Sequence, residues 1–194
     1  MDLGFRTSDS GLFVKGEFMR KLLVLLPLLI FPVSAWAQQT PKVEVFGGYS
    51  NLEANFSGTR FNMSGFNVAA TENLNSWFGG TLDFSGHFGT ENGFKTNTES
   101  LAYGPAFAYR KAKVVVPFAH AMIGVTRGAP EYLNISQSEY RFDTLVGGGI
   151  DVKVASNLAL RLVQADYLMT RFSGARQDNL RLSAGIVLLF GSKK

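Results

Sequence analysis

Residues 101–110 alternate between bulk and near-absence of side chain. Leu101, Tyr103, Pro105, Phe107 and Tyr109 share one parity; Ala102, Gly104, Ala106, Ala108 and Arg110 share the other. Successive strand residues point to opposite faces, so this segment predicts a β-strand with one large apolar face and one nearly empty one. The pattern returns at 180–190. There Leu180, Leu182, Ala184, Ile186, Leu188 and Phe190 stand against Arg181, Ser183, Gly185, Val187 and Leu189. Carried along the chain, the alternation predicts eight strands, at 42–52, 64–72, 77–87, 101–110, 114–127, 139–154, 158–171 and 180–190. The fifth is apolar on both parities, so its phase stays open. Pro117 within it requires a bulge or a place near a rim, because proline cannot donate to a sheet ladder.

The connections alternate in length. Residues 73–76, 111–113 and 155–157 are short turns, whereas 53–63, 88–98, 128–138 and 172–177 are longer, polar and rich in Gly, Asn and Ser, which predicts loops. Beyond residue 37 there is no long apolar run. A chain without one crosses lipid only as a closed barrel, since lipid leaves the edges of an open sheet unpartnered. Strands of about 9–11 residues suffice to cross. The bulky face would meet lipid, and the small or charged face would fill a narrow lumen. The reading is therefore all-β: an eight-stranded antiparallel up-and-down transmembrane β-barrel, with short turns and both termini on the periplasmic side. A soluble lipocalin-like ligand-binding barrel would carry the opposite arrangement, oily within and polar without.

Arg20 and Lys21 precede a 12-residue apolar run, 22–33, that contains Pro27 and Pro32 and leads to Ser34-Ala35-Trp36-Ala37. A basic start, a short apolar segment and an Ala-x-Ala end predict a secretory signal peptide. The run is well short of the roughly 20 residues a spanning helix needs. Cleavage is expected after Ala37, giving a leader at 1–37 and a barrel at 38–194. Met19 directly precedes the basic pair, and translation is expected to begin there.

Composition narrows the chemistry. With no Cys, thiolate metal sites, disulfides and Cys nucleophiles are excluded. Two His, His87 and His120, make a multi-His metal site within one chain unexpected, and no cofactor is implied. The net charge of +4 is small and unclustered, so no nucleic-acid partner is expected.

The candidate site is the set of inward charges: Glu44, Asp83, Arg110, Arg141, Asp143, Asp151, Lys153, Arg161, Asp166 and Arg181. Inside eight strands such charges must pair, either as a fixed plug or as pairs that exchange to gate a narrow pore. Arg161, Gln164 and Asp166 cannot all face inward in regular alternation. Either a bulge lies between 161 and 164 or Arg161 sits at the periplasmic rim. Trp77, Tyr109, Tyr140, Tyr167 and Phe190 fall at strand ends, as interfacial anchors do. A lipid-modifying barrel enzyme would need a Ser–His pair. His87 and Ser85 share a face but stand two residues apart, roughly 6–7 Å, and no acid partner is indicated for either His.

These features resemble the OmpA-type eight-stranded outer-membrane β-barrels, particularly the single-domain members. The resemblance covers nearly all of 40–191. It rests on Lys42-Val-Glu-Val-Phe-Gly-Gly-Tyr-Ser50, Trp77-Phe-Gly-Gly-Thr-Leu-Asp-Phe-Ser-Gly86, Gly147-Gly-Gly-Ile-Asp-Val152, and Arg161 to Tyr167 followed by Phe190. It implies a monomeric structural protein of the cell outer membrane, in contact with membrane lipid and lipopolysaccharide and inserted by the barrel-assembly machinery, which reads the last strand. Here Gly191-Ser-Lys-Lys194 follows the aromatic on which many members end. The long loops would serve adhesion or interaction, with at most a narrow pore.

Overall fold

The computed structural model describes residues 40–56, 59–91, 94–112, 114–132, 135–136, 139–172 and 175–192. The leader, its cleavage site and Met19 lie outside these residues. The strands are β1 Val43–Phe56, β2 Thr59–Asn73, β3 Phe78–Glu91, β4 Phe94–Ala108, β5 Val115–Tyr132, β6 Ile135–Ser136, β7 Glu139–Ala155, β8 Leu158–Phe172 and β9 Ala175–Phe190. All pairings are antiparallel, and β1 pairs with β9, so the eight long strands close into a ring. The two-residue β6 only extends a hairpin from the end of β5.

The stagger of the ring follows from its register. Partners run from Phe107 through Ala119, Gly148, Ala165, Leu182, Asn51, Ser64 and Phe88 to Asn97, back on β4 but 107 − 97 = 10 residues away. A stagger of that size over eight strands tilts them by about 40° and leaves an interior that side chains can fill.

Alternation then sorts the walls. Tyr49, Val68, Leu82, Tyr103, Ile123, Val146, Leu182 and Ile186 are exposed on the outside. Asp83, Asp166 and Arg181 are buried inside. This is the polarity of a lipid-embedded barrel, and it removes the soluble carrier. In β5 the inward set is Val116, Phe118, His120, Met122, Gly124 and Thr126, which settles the open phase. Pro117 takes the rim alternative. It is the third residue of β5, faces out, and sits opposite Ile150 with no break in register.

Arg161 takes the bulge alternative. Arg161 lies opposite Gly185, but Gln164 lies opposite Ser183, so one residue is extra on β8. Leu162 and Val163 consequently both face out, 57% and 44% exposed, while Arg161, Gln164 and Asp166 all face in.

The four expected loops need correction. Leu52 to Phe56 pairs with Thr59 to Met63, and Phe88 to Glu91 pairs with Phe94 to Asn97. Gly128 to Tyr132 continues β5, whose end pairs with Ile135 and Ser136 of β6, and Phe172 pairs with Ala175. Strands therefore run 14–18 residues, longer than a bilayer requires. Above the apolar belt both faces of a hairpin can be polar, so the alternation that marks the wall is lost there while the hydrogen-bond ladder continues.

Candidate functional site: the lumenal network

All ten inward charges lie on the lumen side of the wall or at its mouth, and the barrel sorts them into tiers. At the turn end Arg110 donates to Glu44 at 2.6 Å and to Asn73 at 2.9 Å, and Asn73 donates to Glu44 at 2.9 Å. Arg110 also caps the Ser76 carbonyl, folding back over the mouth from beyond the end of β4. Lys153 is half-buried nearby.

One tier further in, Arg161 grips Asp151 with two hydrogen bonds, 2.8 and 3.0 Å, and donates to Gln164 at 2.6 Å. Its guanidinium lies 4.3 Å from the Phe46 ring centre and 4.0 Å from that of Phe118. The planar cation is thus held between two aromatic faces, an attraction that strengthens when water is excluded. The bulge at Leu162–Val163 is what turns Arg161 into this slot.

Arg181 occupies the middle of the barrel and is fully buried. It donates to Asp83 at 2.8 and 3.2 Å and to Asp166 at 2.9 Å. Asp166 also accepts from Gln164 at 2.7 Å and meets His120 Nε2 at 2.7 Å; Asp83 accepts from Asn67 at 2.8 Å. Two carboxylates around one guanidinium, each with further donors, is how buried charge is tolerated. Toward the far end Asp143 is buried and accepts from Ser100 at 2.7 Å and from Thr126. Arg141 is half-buried beside Thr126, its partner across the β5–β7 pair.

Two glycines make specific contacts possible. His120, Gly147 and Asp166 form one row across β5, β7 and β8, and Gly147 leaves the gap over which the imidazole and carboxylate meet. A Cβ there would strike Asp166 Oδ1. Ser50, Gly65 and His87 form a similar row, and His87 Nε2 meets Ser50 Oγ at 2.9 Å. Along the chain the nearest serine to His87 on the same face is Ser85, and no acid is indicated for His120. The structure pairs His87 with Ser50 and His120 with Asp166, because contacts over an intervening glycine join residues two strands apart. The Ser50–His87 pair is 1% exposed or less and is joined by Ser183, and among the described residues no acid hydrogen-bonds to it.

Apolar clusters fill the rest of the lumen. Ala102, Met122, Leu145 and Leu168 form one buried cluster and Leu52, Ala54 and Met63 another, while Phe46, Ala69, Ala159 and Val187 close the turn end. A cavity of about 30 Å³ between Arg110 and Gln164 has room for one or two waters.

Outside, Trp77, Tyr109 and Phe190 stand exposed at the turn end, with Trp77 stacked on Phe107 at 6.0 Å. Tyr167 pairs with Leu180, ten residues along β9 from Phe190, and Tyr140 is the second residue of β7. Ten tilted residues rise about 25 Å, the height of an apolar membrane belt.

The family profile of the outer membrane protein beta-barrel domain matches residues 23–187. The chain belongs to this family. It is an integral β-barrel protein of the outer membrane. Among solved structures, this outer-membrane barrel is similar to Neisserial surface protein A (14% identity, TM-score 0.68, covering 77% of this chain and 97% of that one). It is also similar to Ail, the attachment invasion locus protein of Yersinia pestis (17%, 0.55, 76% and 99%), and to OprG from Pseudomonas aeruginosa (8%, 0.54, 80% and 99%). At these identities the likeness concerns the fold. No protein of curated function matches the chain.

Proposed function

We propose that the protein is a monomeric, non-enzymatic structural barrel of the outer membrane, closed to ions and solutes, that presents its hairpin extensions to the cell exterior for adhesion or interaction. The observation that carries this reading is the filled lumen. Arg181, Arg161 and Arg110 are each tied to carboxylates and amides, and buried apolar clusters fill the lumen beside Arg181 and beyond it. Opening a path would require removing bulky buried groups as well as exchanging ion pairs, so the plug fits better than the gate. The attachment role in the name of Ail supports an exterior-facing role for the β1–β2, β3–β4, β5–β7 and β8–β9 ends. Catalysis gains no support from Ser50–His87, which no lipid could reach. Partners on this reading are membrane lipid, lipopolysaccharide and the assembly machinery that reads the strand ending in Phe190. The leader ending at Ala37 directs export.

The test is planar-bilayer recording of the purified barrel. The expected result is no stepwise conductance. Regular conductance steps from the wild-type barrel would reject the closed reading.

A further inference from the structure

One feature of the outer wall is out of keeping with a lipid-facing surface. Glu72 is exposed with outward parity near the end of β2, among Val43, Leu74 and Phe78, and makes no side-chain hydrogen bond or ion pair to any described residue. It lies in the row Val43–Glu72–Gly80–Pro105, and the next row is Val45–Ala70–Leu82–Tyr103. Gly80 and Ala70 leave a depression where larger side chains would level the wall. A Cβ on Gly80 would lie 2.7 Å from the Tyr103 hydroxyl, so the phenol leans across the gap. The result is an external groove of about 430 Å³ with walls of Leu74, Phe78, Leu82, Tyr103 and Pro105 and a carboxylate at its edge.

A carboxylate on a lipid-facing wall is unfavourable unless a donor or counter-charge meets it. The groove beside it has the volume and apolar lining to take part of a hydrocarbon chain, and it lies at the turn end, which on the proposed function faces the periplasmic leaflet. We propose that it seats one phospholipid of that leaflet with a primary-ammonium headgroup. The acyl chain lies along Leu82 and Tyr103, and the ammonium donates to the Glu72 carboxylate. The headgroup chemistry follows from the acceptor. An ionised carboxylate only accepts hydrogen bonds, so it favours an ammonium with N–H groups over a quaternary amine without them, and it repels an anionic headgroup. The Tyr103 hydroxyl supplies a donor for the ester or phosphate oxygens above Gly80.

The test uses the full barrel in nanodiscs of equal phosphatidylethanolamine and phosphatidylcholine with matched acyl chains. After transfer to mild detergent, the lipid retained per barrel is counted by native mass spectrometry. Glu72 is exposed, and an exposed ion pair of this kind supports an enrichment of the ethanolamine lipid of up to about fivefold. Glu72→Gln is expected to bring the ratio close to one while lipid is still retained, and Ala70→Trp, which fills the groove, to remove the retained lipid. Both changes lie on the outer wall, and a gel shift between boiled and unboiled samples verifies folding. A wild-type ratio near one, an enrichment that survives Glu72→Gln, or retention unaffected by Ala70→Trp would each overturn the proposal. None of these outcomes bears on whether the lumen conducts.

Discussion

Replacing Arg181 with methionine is expected to lower the stability of the folded barrel by roughly 3–5 kcal/mol. Methionine keeps much of the volume but removes the charge that Asp83 and Asp166 share. Both acids are then left buried, 1% exposed or less, with only neutral donors and His120 nearby. The cost comes from stranding carboxylates away from water, more than from losing the net worth of the bridge. It follows that Asp83→Asn and Asp166→Asn together should recover most of the loss when combined with Arg181→Met, because a neutral set needs no counter-charge. Denaturant unfolding in lipid vesicles, followed by the gel shift, gives the stabilities of the wild type, Arg181→Met, the double Asn variant and the combination, and closes the cycle. If Arg181→Met costs the same with the acids present and absent, the network does not hold the lumen together.

The second large effect is expected on the opposite wall. Val68 is 43% exposed, opposite Gly47 and Phe84, and lies about midway between the turn residue Leu74 and the polar Asn62 along β2. That puts it near the bilayer midplane. Val68→Arg is expected to cost about 2–4 kcal/mol, against less than about 1 kcal/mol for Asn62→Arg above the belt. In water-surrounded protein both changes would be near-neutral surface substitutions. Equal small effects at the two sites would therefore argue against lipid contact at Val68. Refolding yield into vesicles, read by the same gel, distinguishes the cases.

The wall was legible in the sequence where alternation was strict. Residues 101–110 carried it because every inward position there is small or polar, and 180–190 because its inward parity starts so, at Arg181, Ser183 and Gly185, against an outward parity that is apolar throughout. In β5 it faded because Phe118 and Met122 face inward into the aromatic slot and an apolar tier while Ile123 and Val125 face lipid, so both parities are oily. The hairpin ends look like loops in the sequence for a related reason. Once a strand clears the membrane neither face need be apolar, and Gly, Asn and Ser there do not interrupt pairing. Among the charges, inward orientation could be read from parity, but partnership could not. Asp83 and Arg181 are 98 residues apart, and only the ten-residue stagger brings them together. The bulge was foreseeable as one of two ways to resolve Arg161 and Gln164, yet only the register identifies Leu162–Val163 as the doubled pair. His120 found its acid across Gly147, a contact that no spacing along the chain encodes.

The most direct test of which wall faces lipid uses a nitroxide scan of β9. The chain has no native Cys, so single cysteines can be placed and labelled without background. Oxygen, which concentrates in the hydrocarbon, should relax labels at 182, 184, 186 and 188 strongly and labels at 181, 183, 185 and 187 weakly, with a period of two. The inverse phase, with the odd positions open to oxygen and the even ones shielded, would contradict the account.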